Sequence, residues 1–220
     1  ILPDMTRKII SISGFKGSGK DTVARLLCEQ APFELTSFAQ PLKHSMCEIF
    51  GWDRTQLEGL TPDSRAWREQ PDPYWSEVFG EPVSPRNLMT RMGTDCLRSH
   101  LHTDIWVHSC KKRILESENH MIITDARFTN ELQMVKDLGG ITILVHRPPL
   151  PTWYASAQKV NKWPKSLRPY VKKLYGDLAQ VHESETDWLT WEFDHVIDND
   201  QDLMHLNAQA QQLVQEWLVG

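Results

Sequence analysis

Lys20 closes a glycine-rich turn, Gly14-Phe15-Lys16-Gly17-Ser18-Gly19-Lys20, and residues of these types at this spacing are suited to holding phosphate. Glycines at 14, 17 and 19 let the backbone bend so that successive amides point inward at one anion. A helix beginning at Lys20 adds its unpaired N–H groups and the positive end of its dipole, and the lysine ammonium reaches the outer phosphates. Gly14, Gly19 and Lys20 meet the spacing G-x-x-x-x-G-K. The apolar run at 9–13 before it and Val23, Leu26 and Leu27 after it supply the strand and helix that such a turn requires. Gly14, Lys16, Gly17, Ser18, Gly19, Lys20, Asp21 and Thr22 are therefore the expected ATP-binding residues.

The residue after the lysine is Asp21, with Thr22 next, where a hydroxyl usually meets magnesium. Asp21 either ligates the ion, holds it through water, or acts only as a first-turn acid on the helix dipole. The run Ile-Ile-Thr-Asp-Ala-Arg at 122–127 places Asp125 at the carboxyl end of an apolar strand, where an acid can hold the metal or its water, and Arg127 follows within reach of a phosphate. The alternative for Asp125 is a cap on the helix that Thr129, Asn130 and Glu131 open. Mg2+ is the expected cofactor, with Asp21 and Asp125 as its candidate ligands.

Positioning these groups calls for a parallel sheet. Apolar strands at 9–13, 33–38, 121–124, 141–145 and 195–197 alternate with helical patterns, which predicts an α/β fold of three layers around a five-stranded parallel sheet. Roughly eighty residues separate the second and third strands, too many for a simple crossover. They read as a helix at 41–50, a loop rich in proline and tryptophan, then helices at 87–101 and 106–116. Ligands bind beyond the carboxyl ends of such strands, so this insertion would cover a second ligand beside the triphosphate. From Arg147 to Gly176 there is no aspartate or glutamate, but Arg147, Lys159, Lys162, Lys165, Arg168, Lys172 and Lys173 occur. Pro148, Pro149 and Pro151 interrupt regular structure, giving a mobile flap that closes over phosphates, or else a solvated basic face or RNA-touching patch. The expected organisation is one domain, with core segments 5–40, 118–147 and 190–220, a helical insertion at 41–117 and a lid at 148–182.

A chain of 220 residues, 40% apolar and 24% charged, suits one well-buried domain. A net charge of −5 argues against a general nucleic-acid binder. Cysteines 28, 47, 96 and 110 lack paired spacing and the nine histidines are scattered, so reduced thiols and no zinc-type cluster are expected. No apolar run approaches the roughly 20 residues of a membrane span and no secretory signal is evident, so a soluble intracellular protein is expected. Met5 reads as the natural start, with residues 1–4 set aside from fold reasoning.

The chain resembles the bacteriophage deoxynucleoside monophosphate kinases of the T-even type across nearly its whole length. The resemblance lies in GFKGSGKDT at 14–22, FAQPLK at 38–43, RNLMTRMGTD at 86–95, Trp106-Val107, TDAR at 124–127, VHRP at 145–148 and IDND at 197–200. The aspartate after the lysine is itself a feature of that family. Animal phosphomevalonate kinases share a similar GKD turn and are the nearest rival. The resemblance implies a nucleoside monophosphate kinase fold with core, substrate-binding helices and lid, moving a phosphoryl group from ATP to a deoxynucleotide. If phage-encoded, the enzyme would serve DNA precursor synthesis in the host cytoplasm. A homodimer stays open beside a monomer, and neither nucleic acid nor membrane is an expected partner.

The chemistry agrees with that implication. A phosphate acceptor is already an anion, with a second pKa of about 6, and needs no base. What it needs is cations to gather two repelling anions, and arginine is the apt residue. The expected catalytic set is Lys20, Asp125, Arg127 and Arg147, with Arg147 and Arg168 as lid cations. In the insertion, Arg86 is the first choice for the acceptor, matching an arginine of the family motif. Arg91 lies five residues on, toward another face; Lys43 and Arg65 stand evenly between substrate and surface, and Arg68 leans toward surface. Thr94 or Asp95 would hydrogen-bond sugar or base, or cap a turn. Among Phe38, Trp52, Trp67, Trp75 and Trp106, at most one or two would stack on a base, and Trp106 is carried into the substrate site. By the same resemblance Asn199, in the loop 198–200, passes beside adenine; the alternative is an ordinary turn. Two other classes remain. A hydrolytic switch would place a glutamine or glutamate beside the metal-binding acid, where this chain has Ala126 and Arg127. A nucleotide sensor has no use for an acid-free flap.

Overall fold

A computed structural model describes the backbone of residues 7–219 and the side chains of 7–217; the expected start at Met5 lies outside them. Strands β1 (Ile9–Ser13), β2 (Phe33–Thr36), β3 (His120–Ile123), β4 (Ile141–His146) and β5 (His195–Asp198) form one all-parallel sheet in the order β2-β3-β1-β4-β5. Every residue of the central strand is buried, as expected for a parallel strand covered on both faces. On one face α1 (Lys20–Gln30) packs with α11 (Leu203–Val214), and Ile10, Ile12, Val23, Leu27, Ile143 and Leu213 share a core there. On the other, α8 (Thr129–Asp137) lies on β1 and β4 with Leu132, Met134 and Val135 buried. The expected strands fall in place, the second stopping two residues short and the third beginning one residue early. With β1 between β3 and β4, the carboxyl ends of three neighbouring strands carry the glycine turn, the 124–127 segment and Arg147.

The chain divides into two compact units, one formed by residues up to 37 with those from 113 on, the other by 38–112. The second unit is helical: α2 (Gln40–Phe50), α3 (Arg54–Glu58), α4 (Pro62–Glu69), α5 (Pro73–Phe79), α6 (Pro85–Thr90), a π-helix (Arg91–Leu101) and the first part of α7 (Ile105–Glu116). Two expectations are corrected here. The stretch expected as a proline- and tryptophan-rich loop is three short helices, because Pro62 and Pro73, like Pro85 of α6, take first-turn positions behind the side-chain caps Thr61, Asp72 and Ser84. The helix expected at 87–101 is two: an α-helix that begins at its Ser84 cap and gives way to i→i+5 bonding at Arg91.

The tryptophans of that stretch hold the unit together. Trp52 stacks on Phe50 at 4.6 Å, Trp75 meets Phe50 edge-on at 4.9 Å, and Trp67 meets Trp52 at 6.0 Å. The indoles of Trp52 and Trp75 donate to Asp72 and to the Phe50 carbonyl; Trp52 is buried and Trp75 half-buried.

The 148–182 segment is also more regular than its prolines suggest. It carries α9 (Tyr154–Asn161) and α10 (Arg168–Lys172), and Ala157, Val160 and Leu178 form a small core with Trp153, Tyr175 and Leu189 packed on it. Among the described residues no helix is long and apolar enough to cross a membrane.

Candidate active site

The glycine turn follows β1 directly. Gly14 has φ +148°, and a Cβ there would stand 2.6 Å from both the Val145 carbonyl and Ser18 Oγ, so no larger residue fits. Gly19, at φ +100°, is the cap residue of α1 and offers no side chain to its amides. Those first-turn N–H groups have no partner within the helix and are free to meet an anion. The buried hydroxyl of Ser18 has no hydrogen-bond partner. Lys16 and Asp21 are exposed and Thr22 half-buried.

The Lys20 ammonium donates to the carbonyls of Gly14 (2.8 Å) and Phe15 (2.9 Å). Burial, and then the Arg127 guanidinium beside it, lower its pKa to about 8; Asp21, Glu185 and Asp125 pull the other way. The fold thus gathers the expected catalytic groups Lys20, Asp125 and Arg127 with Asp21. Arg127 is ion-paired to Glu185, while the Glu131 carboxylate accepts the backbone N–H groups of Arg127 (2.7 Å) and Phe128 (3.1 Å), fixing the segment after Asp125. Ser13 Oγ donates to the Ala126 carbonyl at 2.8 Å, tying that segment to the end of β1. Exposed Arg147 donates to the Gly17 carbonyl at 3.2 Å, and the Asn199 side chain donates to the Ser18 carbonyl at 2.8 Å. Both therefore brace the phosphate turn.

Arg168 behaves otherwise than a free lid cation. It pairs at 3.0 Å with Asp187, which is fully buried, and Lys165 and the amide and hydroxyl of Thr129 converge on the same carboxylate. Burial pushes the Asp187 carboxyl up, but these partners outweigh it and the net direction is down.

In the helical unit Glu58 pairs with both Lys43 and Arg54. Half-buried Arg68 lies against Gly59, where a side chain would collide with its guanidinium, and its Nε has no hydrogen-bond partner. Burial, and then neighbouring Arg86, push its pKa down from the usual arginine value. Arg86 and Arg65 are exposed, and Arg91 is paired with Glu81 at 2.7 Å and lies over the Phe79 ring. Thr94 is half-buried and Asp95 exposed, both in the π-helix. Trp106 is corrected from a base-stacking residue to a positioning one: it is 8% exposed, and its indole donates to the Gly93 carbonyl at 3.0 Å, leaving no open face for a base. Phe38, 3% exposed, offers none either.

Residues 75–152 match a sequence-family model described as deoxynucleotide monophosphate kinase. A protein of Acanthamoeba polyphaga mimivirus that bears the same kinase name is 34% identical over 152 residues, covering 64% of this chain and 74% of the relative. This chain belongs to the deoxynucleotide monophosphate kinase family. It is a phosphotransferase on the α/β scaffold described above. Among solved structures, TT1252 from Thermus thermophilus covers 97% of this chain and 99% of its own at 20% identity with a TM-score of 0.46. Shikimate kinase from Bacteroides thetaiotaomicron covers 97% and 99% at 16% identity and the same score.

Three residues of this deoxynucleotide monophosphate kinase escape a linear reading. Glu185 and Asp187 lie 58 residues from their partners Arg127 and Thr129, and no local pattern announces such pairs. Arg68 looked like surface charge, and only the fold shows its orphaned Nε beside a second arginine.

Proposed function

We propose that this kinase transfers the γ-phosphoryl group of ATP to a deoxynucleoside monophosphate, yielding the diphosphate and ADP, for DNA precursor synthesis in the host cytoplasm of a phage. The observation that carries the acceptor half is the Arg68–Arg86 neighbourhood. Two guanidiniums of like charge, one half-buried with an unused donor, suit an anion of the size and charge of a nucleotide phosphate. The donor half rests on the turn 14–22, whose amides and Lys20 suit a triphosphate.

In the transfer an acceptor phosphate oxygen attacks the γ-phosphorus as the bond to the β-bridging oxygen breaks. The acceptor is an anion at neutral pH, so no general base is required. Lys20, Arg127 and Arg147 neutralise charge on the migrating group, while Glu185 and Glu131 keep Arg127 and its backbone in register. The carboxylates Asp21 and Asp125, both acting on the Lys20 ammonium, are hard oxygen donors of the kind magnesium takes. They would hold the ion, which when bound offsets phosphate charge. In this reading Arg65, Thr94 and Asp95 complete the acceptor site, and Asn199, whose side chain donates to the Ser18 carbonyl, is the residue expected beside adenine.

The test is ATP labelled at its terminal phosphate, offered with each of the four deoxynucleoside monophosphates and their ribose counterparts. Label is expected on a deoxynucleoside diphosphate; ATP hydrolysis indifferent to acceptor, or no turnover with any, rejects the reading. Arg86→Ala should raise the acceptor KM ten- to hundredfold, the loss of roughly 1.5–3 kcal/mol of charge-assisted hydrogen bonding, with the ATP KM nearly unchanged.

A further inference from the structure

The nine histidines looked scattered along the chain, but the fold gathers two of them with an aspartate. His102, Asp104 and His108 each offer one ligand atom, and these atoms lie within 4.8 Å of one another. We propose that they form a surface site for a divalent transition-metal ion, zinc being the best fit.

The local structure explains the convergence. His102 is the residue at which the π-helix 91–101 ends, in extended conformation at φ −162°. Asp104 immediately precedes α7, where its carbonyl accepts the amide of His108 at 2.9 Å. His108, four residues on, therefore projects along the same side of the first turn. The imidazoles of 102 and 108 meet edge to face with centroids 5.1 Å apart.

The donor set selects the metal. Two imidazole nitrogens and one carboxylate oxygen suit zinc, cobalt, nickel or copper, whereas magnesium and calcium favour oxygen alone. At zinc-to-nitrogen distances of about 2.0–2.1 Å the three ligand atoms would stand roughly 3.3 Å apart. Closing from 4.8 Å takes side-chain rotation, which His102 and His108, both exposed, are free to make. Half-buried Asp104 is the anchored member of the set. Zinc bound through Nδ1 of His102 would displace the hydrogen bond that this nitrogen accepts from the Asp104 amide at 3.0 Å. Three protein ligands leave a fourth position to water or to a ligand from solution. A bound ion would clip the end of the π-helix to the start of α7 across a three-residue corner, stiffening the helix that carries Thr94 and Asp95.

None of the three ligands is among the residues assigned to the acceptor or the triphosphate, so metal binding is read separately from turnover. Zinc should bind the whole protein in a competition titration with a chelating dye. His102→Gln combined with His108→Gln should weaken the tightest site at least tenfold, and zinc should raise the melting temperature of the wild type but not of this variant. Substituted Co2+ should give visible d–d bands without the near-ultraviolet charge-transfer band of a thiolate, which excludes the four cysteines. Equal zinc affinity in wild type and double variant, or a thiolate band at the tightest site, overturns the proposal. Should the double variant fold poorly, Asp104→Asn, which keeps a competent helix cap, is expected to lower zinc affinity, and unchanged affinity there overturns the proposal equally.

Discussion

At the scale of single residues the chemistry turns on where positive charge is kept and what it costs to keep it. Lys20 is held among carbonyls, half-buried and beside Arg127, and its pKa of about 8 reflects that. A lysine with a depressed folded-state pKa disfavours folding while charged; that cost is fully present below about pH 8 and is relieved as pH rises toward the unfolded value of 10.5. A triphosphate reverses the balance by favouring the ammonium, so binding at pH 8 should draw up roughly half a proton per site, and almost none at pH 6. Calorimetric binding heats in buffers of different ionisation enthalpy measure this. A buffer-independent heat at pH 8 would show that Lys20 does not meet the nucleotide, and Lys20→Arg, always charged, should abolish the effect in a protein that still binds.

At the scale of elements, what could be read in advance was whatever is encoded locally. The strands announced themselves because buried parallel strands are continuous apolar runs, and the phosphate turn because its glycines serve backbone geometry. The three short helices are equally local, with Thr61-Pro62 and Asp72-Pro73 as starts and Gly59 and Gly80 as stops, but the stretch reads as loop because its prolines, which open helices here, are more familiar in loops. The regular build of the 148–182 segment was not legible, since its key tie, Arg168 to Asp187, spans 19 residues and depends on a carboxylate whose burial only the fold reveals. That tie sets a prediction. Asp187→Ala leaves the Arg168 guanidinium, the Lys165 ammonium and the Thr129 amide without their shared partner, and breaking a buried pair in this way costs about 3–5 kcal/mol. Proteolysis should then cut within 162–182 faster than in the wild type. Because the Asp187 pKa is depressed, the same opening should appear in the wild type as pH falls below about 4, where a lowered carboxylate loses its contribution. Equal cutting rates in variant and wild type would show that the pair does not hold the segment.

At the scale of the whole molecule, a chain of net charge −5 draws the cations of the proposed site from both of its units. Lys20, Arg127 and Arg147 belong to the sheet-bearing unit, and Arg65, Arg68 and Arg86 to the helical unit of residues 38–112. On the proposed reading, two nucleotides that repel each other in solution would each be bound by its own cluster before any chemistry occurs, dividing the energy of gathering them between two binding events. The division is measurable by amide exchange. A non-hydrolysable ATP analogue should slow exchange in 14–22, where the turn amides would meet phosphate. A deoxynucleoside monophosphate alone should slow it in 57–68 and 85–95, where Arg68 and Arg86 reside, and leave the turn unchanged. Protection of the turn by the monophosphate, with the helical unit unaffected, would mean that the acceptor does not use these arginines. Arg68→Ala then separates a binding role from a packing one. If the guanidinium binds phosphate, monophosphate-dependent protection disappears while the unliganded exchange pattern of 57–68 is kept; if it only supports the turn at Gly59, exchange there accelerates with no ligand present.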